Sequence, residues 1–80
     1  MVYVFLADEF EEVEAIEPTD IMRRAGIDVK TVSVMNSKQV KGSHGITVEA
    51  DIMADEVDFS SMDMCVLPGG TGHQILDASA

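Results

Sequence analysis

The chain has 80 residues, 46% of them apolar, and 15 acids against five lysines and arginines give a formal charge of −10. That apolar share suits one small folded domain rather than a disordered chain. The acidity, with no basic patch beyond Arg23-Arg24, argues against nucleic acid and anionic membrane surfaces as partners. No apolar stretch approaches the ~20 residues that span a bilayer, and Met1–Ala7 lacks the basic start of a signal peptide. The single cysteine, Cys65, excludes an internal disulfide and supplies no metal cluster, so a reducing cytoplasm is the expected setting.

Residues 2–7 read as a buried strand, followed by the acidic turn Asp8-Glu9-Phe10-Glu11. A helix is expected from about Glu11 to Ala25, closed by Gly26, where a left-handed residue ends helices well. Ile27–Val34 alternates and then turns apolar, the pattern of a second strand. Asn36-Ser37-Lys38 is a turn, Gln39–Gly42 a short edge segment, and Gly45–Ala50 another short strand, together a small hairpin. Asp51–Val57 reads as an acidic loop or short helix, Met62–Leu67 as the central strand, and Thr71–Ala80 as the opening of a helix. The order β-α-β, hairpin, β-α predicts an α/β fold of the doubly wound, flavodoxin-like kind, a mostly parallel sheet flanked by helices. With one full helix and part of another, residues 1–80 are expected to be the N-terminal part of a larger domain.

The apolar run Met64-Cys65-Val66-Leu67 stops at Pro68-Gly69-Gly70. Ligands of open α/β sheets sit outside the carboxyl ends of such strands. Paired glycines there leave backbone N–H groups uncovered, which suits an anion or a developing oxyanion. Gly69 and Gly70 are therefore candidate site residues.

Six carboxylates crowd Asp8, Glu9, Glu11, Glu12, Glu14 and Glu17. Most are expected to face water and complement the helix dipole. At about 100° per residue, Phe10, Pro18, Ile21, Met22 and Ala25 share an arc with Glu14 at its centre. Glu14 is therefore expected to point at the sheet near Gly69-Gly70, as a general acid or base or the partner of a nucleophile. Val13 and Ile16 form a separate apolar strip, bordered by Arg24, that could meet a partner subunit. Cys65, mid-strand, is expected to fill the core. His44 and His73, beside glycines, read as surface histidines without metal-ligand spacing. Gly70-x-Gly72 only echoes a dinucleotide fingerprint, and no phosphate-binding loop motif is present. No cofactor and no metal are expected.

These residues together resemble the N-terminal portion of the DJ-1/PfpI (ThiJ) superfamily, in its DJ-1-like branch. The resemblance rests on Ala7, the run Glu11-Glu12-Val13-Glu14, the stretch Glu17-Pro18-Thr19-Asp20-Ile21-Met22-Arg23-Arg24-Ala25-Gly26-Ile27, the Ser43-x-Gly45 turn, and Val66-Leu67-Pro68-Gly69-Gly70. It implies that Glu14 hydrogen-bonds a catalytic cysteine and that Gly69 and Gly70 lie at the oxyanion site. That cysteine follows the next strand, beyond residue 80, and Cys65 does not match it. His44 stands where some relatives carry an arginine near the dimer contact. The implied activity is thiolate attack on small α-oxoaldehydes or glycated substrates, of glyoxalase or deglycase type, or redox sensing. A homodimer through the first helix, at Val13, Ile16 and Arg24, is implied as well. Chaperone activity, a PfpI-type peptidase and a role in thiazole monophosphate biosynthesis are the family's other readings. Two rival folds are a receiver domain, which would need an aspartate where Pro68-Gly69-Gly70 stands, and an amidotransferase-like domain, which the acidic helix disfavours.

Overall fold

The computed structural model describes residues 1–69. Strand β1 (Val2–Leu6) leads into helix α1 (Glu12–Arg24) and back into β2 (Val29–Ser33). The hairpin β3 (Gln39–Lys41) and β4 (Thr47–Glu49) follows, then β5 (Ile52–Met53), two short 3-10 turns (Ala54–Glu56 and Phe59–Ser61) and β6 (Met64–Val66). The main sheet has the order β5-β2-β1-β6 with every pairing parallel, while β3 and β4 pair antiparallel by themselves. This is the expected parallel α/β sheet, with β1 inside it. Val4 and Val32, on the two inner strands, are wholly buried.

Helix α1 starts and stops for local reasons. Glu11 is its N-cap, its side chain accepting the Val13 N–H at 2.9 Å. At the other end Gly26 takes φ +82°, so its N–H reaches the Arg23 carbonyl and the Ile27 N–H reaches that of Met22. The expected glycine stop is therefore observed. Arg23 then ties this end of the helix to the sheet, donating to Asp51 Oδ2 at 2.6 Å, which also accepts the Thr31 N–H.

The buried face of α1 differs from the expected arc. Glu12, Ala15 and Thr19 are buried, whereas Glu14, Ile21 and Ala25 are exposed. Phe10 is buried too, but it precedes the helix and so does not set its register. Small Ala15 and Thr19 allow close approach to the sheet, and Thr19 satisfies its hydroxyl on the Ala15 carbonyl at 2.6 Å. One further expectation is refined and another corrected. Asp51–Val57 does hold a short helix, the 3-10 turn Ala54–Glu56, but it opens with a two-residue strand, β5, too short to carry an alternation pattern. Strand β6 is an edge rather than the central strand among the described residues, which leaves Cys65 exposed instead of filling the core. Gly70, His73 and the expected helix from Thr71 lie outside the described residues.

Candidate functional site

The turn between β1 and α1 is stitched to the hairpin. Glu9 N–H donates to the Lys41 carbonyl at 2.8 Å, Ser43 N–H to the Phe10 carbonyl at 2.8 Å, and Lys41 N–H to Asp8 Oδ1 at 3.2 Å. Glu9 itself sits at φ +70°, the left-handed region that L side chains seldom occupy. Such strain persists only where surrounding bonds hold it, as these do.

On its other side, the first turn of α1 grips Gly69. The Glu11 N–H donates to the Gly69 carbonyl at 2.8 Å, and the Gly69 N–H donates to Glu14 Oε1 at 2.7 Å. Both backbone polar groups of Gly69 are thus held by one helical turn. A Cβ at Gly69 would lie 2.6 Å from Glu14 Oε1, so a side chain there would displace the carboxylate. Glu14 does meet Gly69, at the carboxyl end of β6, although its side chain is exposed rather than packed inward. Its neighbour Gly70 is not among the described residues.

The buried carboxylate of this helix is Glu12, at 3% exposure. Its Oε2 accepts the N–H groups of His44 (2.8 Å) and Ile46 (3.2 Å), and its Oε1 lies 2.8 Å from His44 Nδ1. A Cβ at the buried Gly42 would overlap the Glu12 carboxylate. Burial pushes the Glu12 pKa up, but hydrogen bonds from the His44 ring and from the backbone of Glu12, His44 and Ile46 outweigh it and hold the carboxyl at about 2. The His44 imidazole is pushed up, first by its hydrogen bond to Glu12 and then by the charges of Glu11 and Glu12. The expectation that the first-turn acids face water therefore fails at Glu12. Its partners come from the hairpin connection and carry no periodic signal. The one hint was a histidine in a glycine-flanked turn, Ser43-His44-Gly45.

Glu11, Glu12 and His44 bring three potential metal-ligating atoms within 4.8 Å of one another. Both Glu12 oxygens already accept hydrogen bonds from the hairpin connection, and Glu11 Oε1 caps the helix. The arrangement is that of a satisfied ion pair.

Between α1 and the hairpin runs a cleft of about 710 Å³, lined among others by Phe10, Val13, Ile16, Ile46 and Val48. Val13 is 62% exposed, Ile16 44% and Ile46 52%. Arg24 is held by Asp20 of its own helix at 3.0 Å. No helix among the described residues is long and apolar enough to cross a membrane.

Comparison with known proteins bears on the whole arrangement. A family profile described as DJ-1/PfpI family matches residues 1–79. The protein named DJ-1 homolog A of Arabidopsis thaliana is 45% identical over 69 residues, covering 86% of this chain and 18% of that protein. A protein named deglycase from Thermococcus kodakarensis is 39% identical over 75 residues, covering 94% of this chain and 45% of its own length. The crystal structure of Drosophila melanogaster DJ-1beta superposes with a TM-score of 0.87 at 33% identity, over 99% of this chain and 42% of that one. The chain therefore spans less than half the length of these relatives.

Proposed function

Because the chain belongs to the DJ-1/PfpI family, we propose that it is the N-terminal part of a cysteine-dependent enzyme acting on α-oxoaldehydes or their adducts, of glyoxalase or deglycase type. Glu14 is the acid–base group, Gly69 and Gly70 form the oxyanion site, and the thiolate comes from a cysteine outside these 80 residues. The observation that carries this reading is the Gly69 N–H bond to Glu14 Oε1 at 2.7 Å, which puts a carboxylate and a backbone donor at one strand end. Relatives named deglycase in Thermococcus kodakarensis, Pyrococcus abyssi and Escherichia coli support it.

In the proposed reaction Glu14 takes the thiol proton, the thiolate sulfur bonds to the aldehyde carbon, and the carbonyl π pair moves onto oxygen, which takes that proton from Glu14 to give a hemithioacetal. Glu14 then moves protons between carbon and oxygen of that adduct. One N–H cannot serve Glu14 and a substrate oxygen at once. The exposed Glu14 is free to turn toward the thiol, which releases the Gly69 N–H to the developing oxyanion. The protein acts as a cytoplasmic homodimer, joined through Val13 and Ile16 of α1, with Arg24 at the border of that strip.

The test uses the intact protein with methylglyoxal as substrate. Glu14→Gln should lower kcat at least 100-fold, in keeping with loss of a positioned acid–base group. Glu14→Asp should retain part of the rate. Wild-type turnover undiminished in Glu14→Gln overturns the assignment.

A further inference from the structure

We propose that the Glu12–His44 pair is the positioning element of this site, clamping the first turn of α1 so that Glu11 and Glu14 can hold Gly69. The inference rests on the reading of Glu14 and Gly69 given above and adds the residues that place them.

Glu12 and Glu14 are two positions apart, so they project about 200° apart around the helix, on nearly opposite sides. On the Glu12 side, three hydrogen bonds from His44 and Ile46 fasten the turn to the hairpin connection. On the opposite side, the Glu11 N–H and the Glu14 carboxylate fasten it to Gly69. The turn is thus pinned between two loops that are distant in sequence. A helix start fixed on only one side can rotate or fray, because the first-turn N–H groups have no partner within the helix. The Glu14 side chain is exposed and is held by the Gly69 N–H rather than by packing. Glu12 is buried with both oxygens hydrogen-bonded, and its carboxylate lies so close to Gly42 that a Cβ there would overlap it. Orientation is supplied from the Glu12 side and used on the Glu14 side. Neither Glu12 nor His44 is assigned contact with substrate, so both act through Glu14 and Gly69 as positioning residues.

The experiment is NMR on the intact, labelled protein. In the wild type the Gly69 amide proton should lie shifted from its position in Glu14→Gln, because it donates to the Glu14 carboxylate. In Glu12→Gln and in Gly42→Ala the amplitude of that shift should fall by at least half. The Val4 and Val32 amides should keep their hydrogen-exchange protection in both variants. His44→Ala should behave like Glu12→Gln, and His44→Arg, which keeps a cation against Glu12, should restore the amplitude. An unchanged Gly69 shift in Glu12→Gln overturns the proposal. So does loss of protection at Val4 and Val32 in step with it, since that would show general unfolding. With methylglyoxal, Glu12→Gln should lower kcat about tenfold at an unchanged KM. Absence of turnover in the wild type would refute the enzymatic reading alone, while the Gly69 shift would still decide the positioning role.

Discussion

Glu12 and His44, 32 positions apart in the chain, meet side chain to side chain at 2.8 Å, and this contact joins the helix start to the hairpin. It also makes stability depend on pH in two directions. The Glu12 carboxyl falls from 4.5 to about 2 on folding, so its contribution is fully present above pH 4.5 and is lost as pH falls from there toward 2. The His44 imidazole rises above 6.5, so its contribution is fully present below pH 6.5 and is lost as pH climbs through the raised value. The pair stabilises most between about pH 4.5 and 6.5. Urea midpoints of the intact protein should show His44→Ala costing most within that window, with the difference from wild type shrinking on the alkaline side. A wild-type minus His44→Ala difference that is flat from pH 5 to 9 would count against the pairing.

Gly69→Ala tests the approach of Glu14 without disturbing the core. The added methyl would sit 2.6 Å from Glu14 Oε1 and must push the carboxylate away. Glu14 is exposed, so the displaced side chain is solvated and stability should change by less than about 1 kcal/mol. On the proposed reaction, methylglyoxal turnover should nevertheless fall at least tenfold, because the methyl displaces the acid–base carboxylate and crowds the Gly69 N–H that the oxyanion needs. A large drop in melting temperature, or full activity, would each contradict the role given to this contact.

Much of this arrangement was legible in the sequence, and the failures have identifiable causes. The apolar runs at β1 and β6, the alternation at β2 and the Gly26 stop announced themselves, because periodicity and turn chemistry are local signals. The meeting of Glu14 with Gly69 was anticipated through an arc that begins at Phe10, but Phe10 lies outside the helix and the buried face runs through Glu12, Ala15 and Thr19. Strand β5 is two residues long, below any periodicity. Glu12 looked like one more surface acid, since the groups that bury and bind it belong to the hairpin connection. Long-range hydrogen bonds leave no pattern in a single segment.

Glu9 provides an independent check on the turn that leads to the site. Its φ of +70° costs an L residue about 1–2 kcal/mol, while glycine there would add unfolded-state entropy worth somewhat less. The side chain is exposed, and the bond to Lys41 uses only the backbone. Glu9→Gly should therefore be neutral or stabilising by up to about 1 kcal/mol, and Glu9→Val should destabilise by more than 1 kcal/mol, since a β-branched residue tolerates this region least. Thermal unfolding of the two variants decides it. Destabilisation by glycine equal to that by valine would mean that the Glu9 side chain, and not its backbone angle, matters.

The last prediction concerns assembly. Val13 and Ile16 stand 62% and 44% exposed on the same helix, and the cleft they border continues to Ile46 and Val48 of the hairpin. Burying a side chain of this size stabilises by about 1.5–3 kcal/mol, and a twofold interface counts it twice. The same cleft carries Glu17, Asp20 and Glu49, which would face their own copies across such an interface. Arg24, already paired with Asp20, offsets little of that repulsion. The proposed dimer of the intact protein should accordingly tighten as salt rises from roughly 0.05 to 0.5 M, because screening weakens like-charge repulsion and leaves apolar burial intact. Ile16→Asp would replace the apolar contact with two more buried charges and should weaken association at least 100-fold, giving monomers at about micromolar concentration with an unchanged circular dichroism spectrum. Sedimentation showing a monomeric wild type, or a dimeric Ile16→Asp variant, would remove this face as the subunit contact.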